Sequence, residues 1–216
     1  MGDVGFYGKL ASRGDFVSRG LPHSFIQPWD QWLAAGLMAS QQQLAEQWLP
    51  AYLVSPLWRF ALAPGVCGPQ AVVGVLMPSI DRVGRYFPLT LAQLLAPDES
   101  LAAVVSGPDD WFEHCEAQLL ATLEPHAAFE AFNEALRGVA VPRLNTLSSP
   151  TVAGLQRFTA VTPEARQAAL AESACADMSL WWGRGSERIE AGLLRCAGLP
   201  RSEDFASFLL GSEAAR

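Results

Sequence analysis

The 216-residue sequence has little lysine and little charge of either sign: Lys9 is the only lysine beside fourteen arginines, and 17% of residues are charged. A nucleic-acid-binding surface requires a basic stripe. Residues 96–216 instead carry nine cationic and seventeen acidic side chains, a net charge of −8, and residues 1–95 carry a net charge of +1. We therefore expect no nucleic-acid partner.

Long apolar runs are also missing. The densest one, residues 71–77, has the length of a strand and falls far short of the roughly 18 residues that a membrane-spanning helix needs. The N-terminus lacks the basic and then apolar pattern of a secretory signal. Because half of the residues are apolar, the chain can nevertheless bury a sizeable core. These features predict a cytoplasmic protein with no direct membrane insertion.

The residue patterns of common catalytic and metal sites are absent. The four cysteines lie far apart without a C-x-x-C pair, which argues against disulfides and zinc. The three histidines are not at metal-ligand spacing, and the sequence has neither a Walker loop nor a G-x-S-x-G nucleophile elbow. We therefore predict no cofactor, no metal and no enzymatic activity.

The hydrophobic pattern predicts strands and helices in both halves of the chain. The predicted strands are residues 4–7, 57–62, 71–77 and 86–91, with a closing hairpin of residues 180–182 and 189–196. Residues 71–77 are apolar nearly throughout, which is typical of a central strand covered on both faces. Pro88 favours an edge or a bulge for residues 86–91.

Helices are predicted from about Gln27-Pro28 to Trp48, from Asp109 or Asp110 to Pro125, and over residues 127–137, 163–174 and 202–210. The sum is an α+β fold with a mixed or largely antiparallel sheet flanked by helices, a three-layer α/β/α sandwich. We expect a single domain over residues 1–216. Its helical segment, about 98–176, lies between the N-terminal strands and the C-terminal hairpin.

Several arginines fall in polar loops. Arg13 and Arg19 lie in the first long loop, Arg82 and Arg85 follow the predicted central strand, and Arg59 borders a strand. Three interpretations are open. Asp15 and Asp81 could pair with these arginines and tie the loops to the sheet edge. The arginines could form a patch that binds a partner or an anion, since guanidinium groups grip phosphate and carboxylate oxygens. The loops could also form a catalytic site.

Tryptophan gives a further candidate for partner binding. Trp29, Trp32 and Trp48 follow one helix face and are expected in the core. Trp181 and Trp182 are adjacent in a predicted strand, so they face opposite sides of the sheet. If no helix covers Trp182, it would be an interface anchor, because tryptophan is enriched at binding hot spots.

Long motifs in the N-terminal half resemble the TagF family, also called ImpM. They are Gly5-Phe6-Tyr7-Gly8-Lys9-Leu10, Ser12-Arg13-Gly14-Asp15-Phe16, Arg19-Gly20-Leu21-Pro22, Pro28-Trp29-Asp30-x-Trp32-Leu33, Ser55-Pro56-Leu57-Trp58-Arg59-Phe60 and the run from Gly74 through Asp81-Arg82-Val83-Gly84-Arg85 to Thr90. Ser179-Leu180-Trp181-Trp182 resembles the last motif of the family. The match is dense over residues 5–90 and thin from about 96 to 175.

The resemblance implies an accessory protein of a bacterial type VI secretion system that represses the apparatus post-translationally. It also implies a partner, the forkhead-associated scaffold protein that promotes assembly, and it supplies no catalytic residues. We therefore predict a partner-binding set of Arg13, Asp15, Arg19, Arg59, Asp81, Arg82, Arg85 and Trp182. The alternatives are an anion- or phosphate-binding enzyme that uses the Arg/Asp loops, and a structural component of the secretion apparatus.

Overall fold

The computed structural model describes residues 3–141, 151–152, 155–156, 158 and 160–211. Its centre is a seven-stranded sheet in the order β2-β1-β5-β4-β3-β8-β9, in which every neighbouring pair is antiparallel. The strands are β1 (Gly5–Gly8), β2 (Val17–Arg19), β3 (Trp58–Leu62), β4 (Val72–Met77), β5 (Leu89–Leu94), β8 (Met178–Gly183) and β9 (Gly192–Ala197), with β6 (Thr151–Val152) and β7 (Leu155–Gln156) forming a separate two-stranded hairpin.

Helices cover both faces of this sheet, as predicted. They are α1 (His23–Leu44), α2 (Trp48–Leu53), α3 (Leu101–Ser106), α4 (Asp110–Ala121), α5 (Phe129–Ala135), α6 (Pro163–Cys175) and α7 (Ser207–Leu210), with short 3-10 turns at Ala45–Gln47 and Ser202–Asp204. One core cluster joins the sheet to α1, α2 and α7, and the other joins it to α3, α4, α5 and α6. Among the helices of the described residues, none is long and apolar enough to cross a membrane.

The central strand is confirmed at β4, whose six residues are all buried. Alternate residues of β4 enter opposite clusters: Val73 and Val75 pack under α4, whereas Val72 and Leu76 pack under α1. The closing hairpin is confirmed as well, since β8 and β9 pair over their whole length.

Several predicted boundaries are wrong. The strand predicted at residues 86–91 is β5, which begins at Leu89 and lies in the middle of the sheet rather than at an edge. Pro88 immediately precedes it, where its missing N–H costs no ladder bond. The loop of residues 8–22 contains the short strand β2. Helix α1 begins at His23, so Pro28 lies inside it. The predicted terminal helix is a 3-10 turn followed by the single turn of α7.

The helical segment contains one helix, α3, that the sequence analysis missed. Ser100 is its N-cap, and the hydroxyl accepts a hydrogen bond from the amide of Ala103 at 3.0 Å. Residues 139–157 show little periodicity in the sequence, which indicates a long connection or part of an insertion. This segment lies largely outside the described residues. Helices α4, α5 and α6 occupy the predicted positions to within a few residues at each end.

The strand register brings most of the predicted site residues to one end of the sheet. Gly8 at the end of β1 and Met77 at the end of β4 both pair with Leu89, the first residue of β5. Arg59 at the start of β3 pairs with Trp182 near the end of β8, and β3 runs antiparallel to β4. We call this end of the sheet, where β1 and β4 end, the loop end.

Candidate partner-binding site

Asp81 holds the loop that follows β4. Its side chain is fully buried. Oδ1 accepts hydrogen bonds from the backbone amides of Val83 and Arg85 at 3.0 and 2.9 Å. Oδ2 lies 2.7 Å from Nε of Arg85 and 3.1 Å from Nζ of Lys9. Four donors therefore surround this carboxylate, which leaves it no free lone pair for general-base chemistry.

These contacts set the protonation state of Asp81. Burial alone would raise its pKa, but the hydrogen bonds from Arg85, Lys9 and Val83 outweigh burial and hold the pKa well below the ordinary value of an aspartate. Asp81 is therefore ionised throughout the physiological range. Its charge balances that of Lys9, whose side chain is almost completely buried.

The loop after β4 docks against the loop after β1. The amide of Arg82 donates to the carbonyl of Arg13 at 2.8 Å. The guanidinium of Arg85 donates to the carbonyl of Gly14. The hydroxyl of Ser79 donates to the carbonyl of Lys9 at 2.8 Å. The interpretation that aspartates and arginines tie these loops to the sheet edge is therefore confirmed for Asp81 and Arg85.

Asp15 pairs with no arginine of the described residues. It is exposed, and its Oδ1 accepts a hydrogen bond from the amide of the next residue, Phe16, at 2.8 Å. Arg13 pairs instead with Glu130, the second residue of α5, and its guanidinium lies 4.5 Å from the ring centroid of Phe129. Arg13 thus links the first loop to the helical layer.

The docked loops present a mixed cationic and apolar surface, which we call the loop patch: Arg13, Phe16, Arg82 and Val83. Phe16 is 42% exposed and Val83 66% exposed, although both are apolar. Phe16 keeps its orientation by stacking on Tyr7, with ring centroids 5.5 Å apart. The exposed Arg82 side chain makes no hydrogen bond or ion pair with the described residues. None of its five donors is therefore engaged within the described part of the chain.

Arg59 lies in a different environment, beneath α4. Its side chain is 3% exposed and forms a bidentate pair with Glu116, through Nε at 2.6 Å and Nη2 at 3.0 Å. Nη1 lies 2.7 Å from Asp109, which precedes α4. Burial alone would lower the pKa of Arg59, but the hydrogen bonds and charges of Glu116 and Asp109 outweigh it and raise the pKa. Arg59 thus fastens α4 to the sheet.

Arg19 lies away from the loop patch, on the edge strand β2. Nη1 donates to the backbone carbonyl and to the side chain of Asn133, and Nη2 donates to the carbonyl of Val4 at 3.2 Å. The guanidinium also lies 5.2 Å from the ring centroid of Phe6. Its donors are engaged within the chain and join β2 to α5.

Trp182 is not the exposed tryptophan that the sequence suggested. It does face the opposite side of the sheet from Trp181, as predicted. It is half-buried, however, and its ring meets that of Phe112 on α4 at a centroid distance of 4.9 Å. Its part in partner binding stays a prediction.

Sequence analysis missed three residues of this site. Lys9 is the buried partner of Asp81, and it could have been suspected as the only lysine of the chain. Phe16 and Val83 supply the exposed apolar part of the loop patch. No spacing rule marks an apolar loop residue as exposed, because its exposure depends on how two distant loops dock.

The Asp81 contacts give a testable pH dependence. We expect Asp81→Asn to unfold at lower temperature than the wild type between about pH 4 and 7, because Lys9 then loses its buried counter-ion. A carboxylate whose pKa is depressed by folding contributes stability above its unfolded pKa, and this contribution is lost as the pH falls through the folded pKa. The difference should therefore shrink in strong acid.

Thermal unfolding followed by circular dichroism from pH 2 to 7 would check this expectation. Asp15→Asn is the matched control, because that carboxylate is exposed and accepts one local amide. It should unfold near the wild-type temperature at neutral pH. A constant difference between Asp81→Asn and the wild type down to pH 2 would contradict the role given to the Asp81 charge.

Comparison with known proteins agrees with the motifs and the fold. Residues 5–139 match the family described as TagF N-terminal domain, type VI secretion system-associated. None of the curated proteins compared with the sequence matches it. The fold is similar to the crystal structure of PA0076 from Pseudomonas aeruginosa PAO1, solved at 2.05 Å, with 57% sequence identity and a TM-score of 0.93. That match covers 97% of this chain and 94% of PA0076.

The matched region contains the loop patch and its anchors, Lys9, Asp81 and Arg85, together with β1 to β5 and α1 to α5. The resemblance inferred from the N-terminal motifs is therefore confirmed over most of the chain. This chain belongs to the TagF family of type VI secretion system-associated proteins.

Proposed function

We propose that this protein is a cytoplasmic, non-enzymatic repressor of its type VI secretion system and acts by binding the forkhead-associated scaffold protein through the loop patch. Membership of the TagF family makes it secretion-associated. The observation that carries the proposal is the exposed guanidinium of Arg82, which is unpaired among the described residues and lies on the same docked loops as the exposed Val83 and Phe16. Arginine and aromatic side chains dominate the energy of protein interfaces.

The rigidity of the loop patch supports a docking role. Both oxygens of Asp81 are occupied, and Arg85 bridges the two loops through Asp81 and the carbonyl of Gly14. Arg82 and Val83 are therefore held in place before a partner arrives. A surface that is ordered in advance loses less conformational entropy on binding.

The charge of the loop patch indicates the chemistry of the partner surface. Arg82 has no acidic partner among the described residues, and Arg13 shares one carboxylate, that of Glu130. A partner surface with carboxylate or phosphate groups beside an apolar residue would complement it. Repression would follow from occupancy, because a bound repressor hides the scaffold surface that assembly needs.

An enzymatic role of the same loops has less support. The Asp81 carboxylate is saturated with donors. The described residues contain no group of three or more His, Cys, Asp or Glu side chains that could hold a metal ion. A catalytic carboxylate needs a lone pair free to take a proton.

Binding of the purified scaffold protein from the same host tests the proposal. We expect Arg82→Glu to weaken binding by about tenfold or more, because it replaces a central cation with an anion. It should leave the unfolding temperature unchanged, since the Arg82 side chain makes no hydrogen bond with the described residues. Arg85 is unsuitable for this test because it holds the loop to Asp81.

Arg201→Glu is the matched control, because Arg201 is another exposed arginine and lies near the C-terminus. It should bind like the wild type. A folded Arg82→Glu variant that binds the scaffold normally would refute the loop patch as the contact, and failure of the wild type to bind would refute the partner. Secretion of a substrate protein by the host should rise with Arg82→Glu if binding causes repression.

A further inference from the structure

The two edges of the seven-stranded sheet differ. At one edge, β2 has three residues, and Arg19 joins it to α5 through Asn133. At the other edge, β9 has six residues, five of them exposed and one partly buried. No strand of the described residues pairs with the outer side of β9. Its outward N–H and C=O groups can therefore pair with a further strand.

β9 lacks the features that usually protect an edge strand. Protection commonly comes from proline, a β-bulge or charged side chains along the edge. β9 contains no proline, and its pairing with β8 runs from Gly192 to Ala197 without interruption. Arg195 is its one charged residue, and Nε of this side chain donates to the carbonyl of Ala174 near the end of α6. This hydrogen bond holds the charge towards α6 instead of along the edge.

Apolar side chains flank the open edge on both faces of the sheet. Leu193 is 59% exposed and lies opposite Trp182, on the face that α3 to α6 cover. Leu194 is 45% exposed and lies opposite Trp181, on the face that α1, α2 and α7 cover. Exposed apolar surface of this kind is unfavourable in water. A strand added to β9 would cover both leucines and also pair the backbone.

Each face also has a cavity beside β9. One, of about 270 Å³, is lined by Trp182 and Leu193, and we call it the Trp182 recess. The other, of about 450 Å³, is lined by Trp58, Gly192 and Leu194, and we call it the Trp58 recess. Gly192 keeps the second recess open, because a Cβ at this residue would meet no atom within 4 Å.

We propose that β9 pairs in antiparallel orientation with β9 of a second copy of this chain, with Leu193 of one copy opposite Leu193 of the other. A two-fold axis perpendicular to the sheet keeps each residue on its own face. The two Leu193 side chains then meet at the Trp182 recess. Leu194 of each copy lies opposite Gly192 of the other copy, where the Trp58 recess has space for it. β9 therefore complements itself on both faces, as an isologous interface requires.

The charges near β9 are compatible with this register. Arg195 lies opposite Ala191 of the second copy, and Glu190 lies opposite Cys196, so no like charges face each other. A register centred on Leu194 would place the two Leu194 side chains opposite each other and would leave Gly192 opposite Cys196. The pairing is separate from the loop patch, because β9 is three strands away from β4 in the sheet.

Analytical ultracentrifugation of the full chain from micromolar to millimolar concentration tests the pairing. We expect the mass to rise from 23.3 kDa towards twice that value. Leu193→Glu should weaken the association at least about tenfold, because two carboxylates would then face each other across the axis. Leu170→Glu is the matched control, since Leu170 is a 70% exposed leucine on α6, and it should associate like the wild type. A wild type that stays monomeric, or a dimer that persists in Leu193→Glu, would overturn the proposal.

Disulfide crosslinking tests the register and does not depend on a charged variant. In a Cys196→Ser background, Leu193→Cys should form an intermolecular disulfide on oxidation, because the two copies of this residue face each other. Leu194→Cys should crosslink much less, and stronger crosslinking at Leu194 than at Leu193 would overturn the register. A monomeric wild type that loses scaffold binding on Leu193→Glu would assign β9 to the scaffold and exclude the second copy.

Discussion

Arg59→Ala is expected to lower the free energy of unfolding by about 3–5 kcal/mol, the usual effect of breaking a buried ion pair by removing one partner. The side chain of Arg59 is 3% exposed and that of Glu116 is 12% exposed. Without Arg59, the Glu116 carboxylate stays largely buried, and the nearest remaining cation of the described residues is Arg184, whose Nε is 3.9 Å away. The guanidinium also packs against the ring of Phe112 at 5.6 Å.

Urea unfolding of the wild type and of Arg59→Ala would measure this loss. Arg201→Ala is the matched control, because Arg201 pairs with two carboxylates, Glu203 and Asp204, but its side chain is 71% exposed. Exposed pairs contribute about 0–1 kcal/mol. Similar losses for the two variants would contradict the structural role of Arg59. A stable Arg59→Ala variant that no longer binds the scaffold would instead make Arg59 a contact residue, as the sequence analysis proposed.

The arginines show what sequence reasoning could and could not predict about the site. The sequence identifies the polar loops and their arginines, because those residues interrupt apolar strands. The sequence cannot show which of these arginines are paired within the chain, because their partners are far away in the sequence. Glu116 is 57 residues from Arg59, and Asn133 is 114 residues from Arg19. Of the loop arginines, Arg82 is the one whose side chain makes no hydrogen bond with the described residues.

Local periodicity predicted the sheet better than single-residue rules did. Apolar runs located β3 and β4 to within one residue at each end. The rule that places proline at the first turn of a helix misplaced the start of α1. Phe25 lies four residues before Trp29, on the same apolar face of the helix, and is 1% exposed, so the helix extends back to His23 to bury it. Packing of the apolar face of α1 outweighed the preference of Pro28 for the first turn of a helix.

The order of the strands in the sheet could not be predicted from the sequence. Pro88 suggested an edge, yet β5 pairs with both β1 and β4 because the proline precedes its first ladder residue, Leu89. That pairing also determines which loops meet. Since Gly8 and Met77 both lie opposite Leu89, the loops that follow them dock against each other. The loop patch is thus a consequence of topology, and no motif spacing could have predicted it.

Gly74→Ala should lower the free energy of unfolding by about 3 kcal/mol, the upper part of the usual range for overpacking a core. An alanine Cβ would lie 2.3 Å from Cζ of Phe60 and 2.4 Å from the carbonyl oxygen of Leu91. The carbonyl belongs to the neighbouring strand β5 and cannot move without disturbing the ladder. The Phe60 ring has Trp29 at a centroid distance of 4.7 Å, so it has little room to shift.

Gly192→Ala provides the matched control, because Gly192 also lies in a strand but at the sheet edge, where a Cβ would meet no atom within 4 Å. This substitution restricts the unfolded chain without a clash, so it should leave the stability unchanged or raise it by about 0.4–1 kcal/mol. Urea unfolding distinguishes the two variants. Equal stabilities would show that the sheet absorbs a methyl group at Gly74. A large difference would show that the central strand needs glycine at this position to make room for the Phe60 ring and the Leu91 carbonyl.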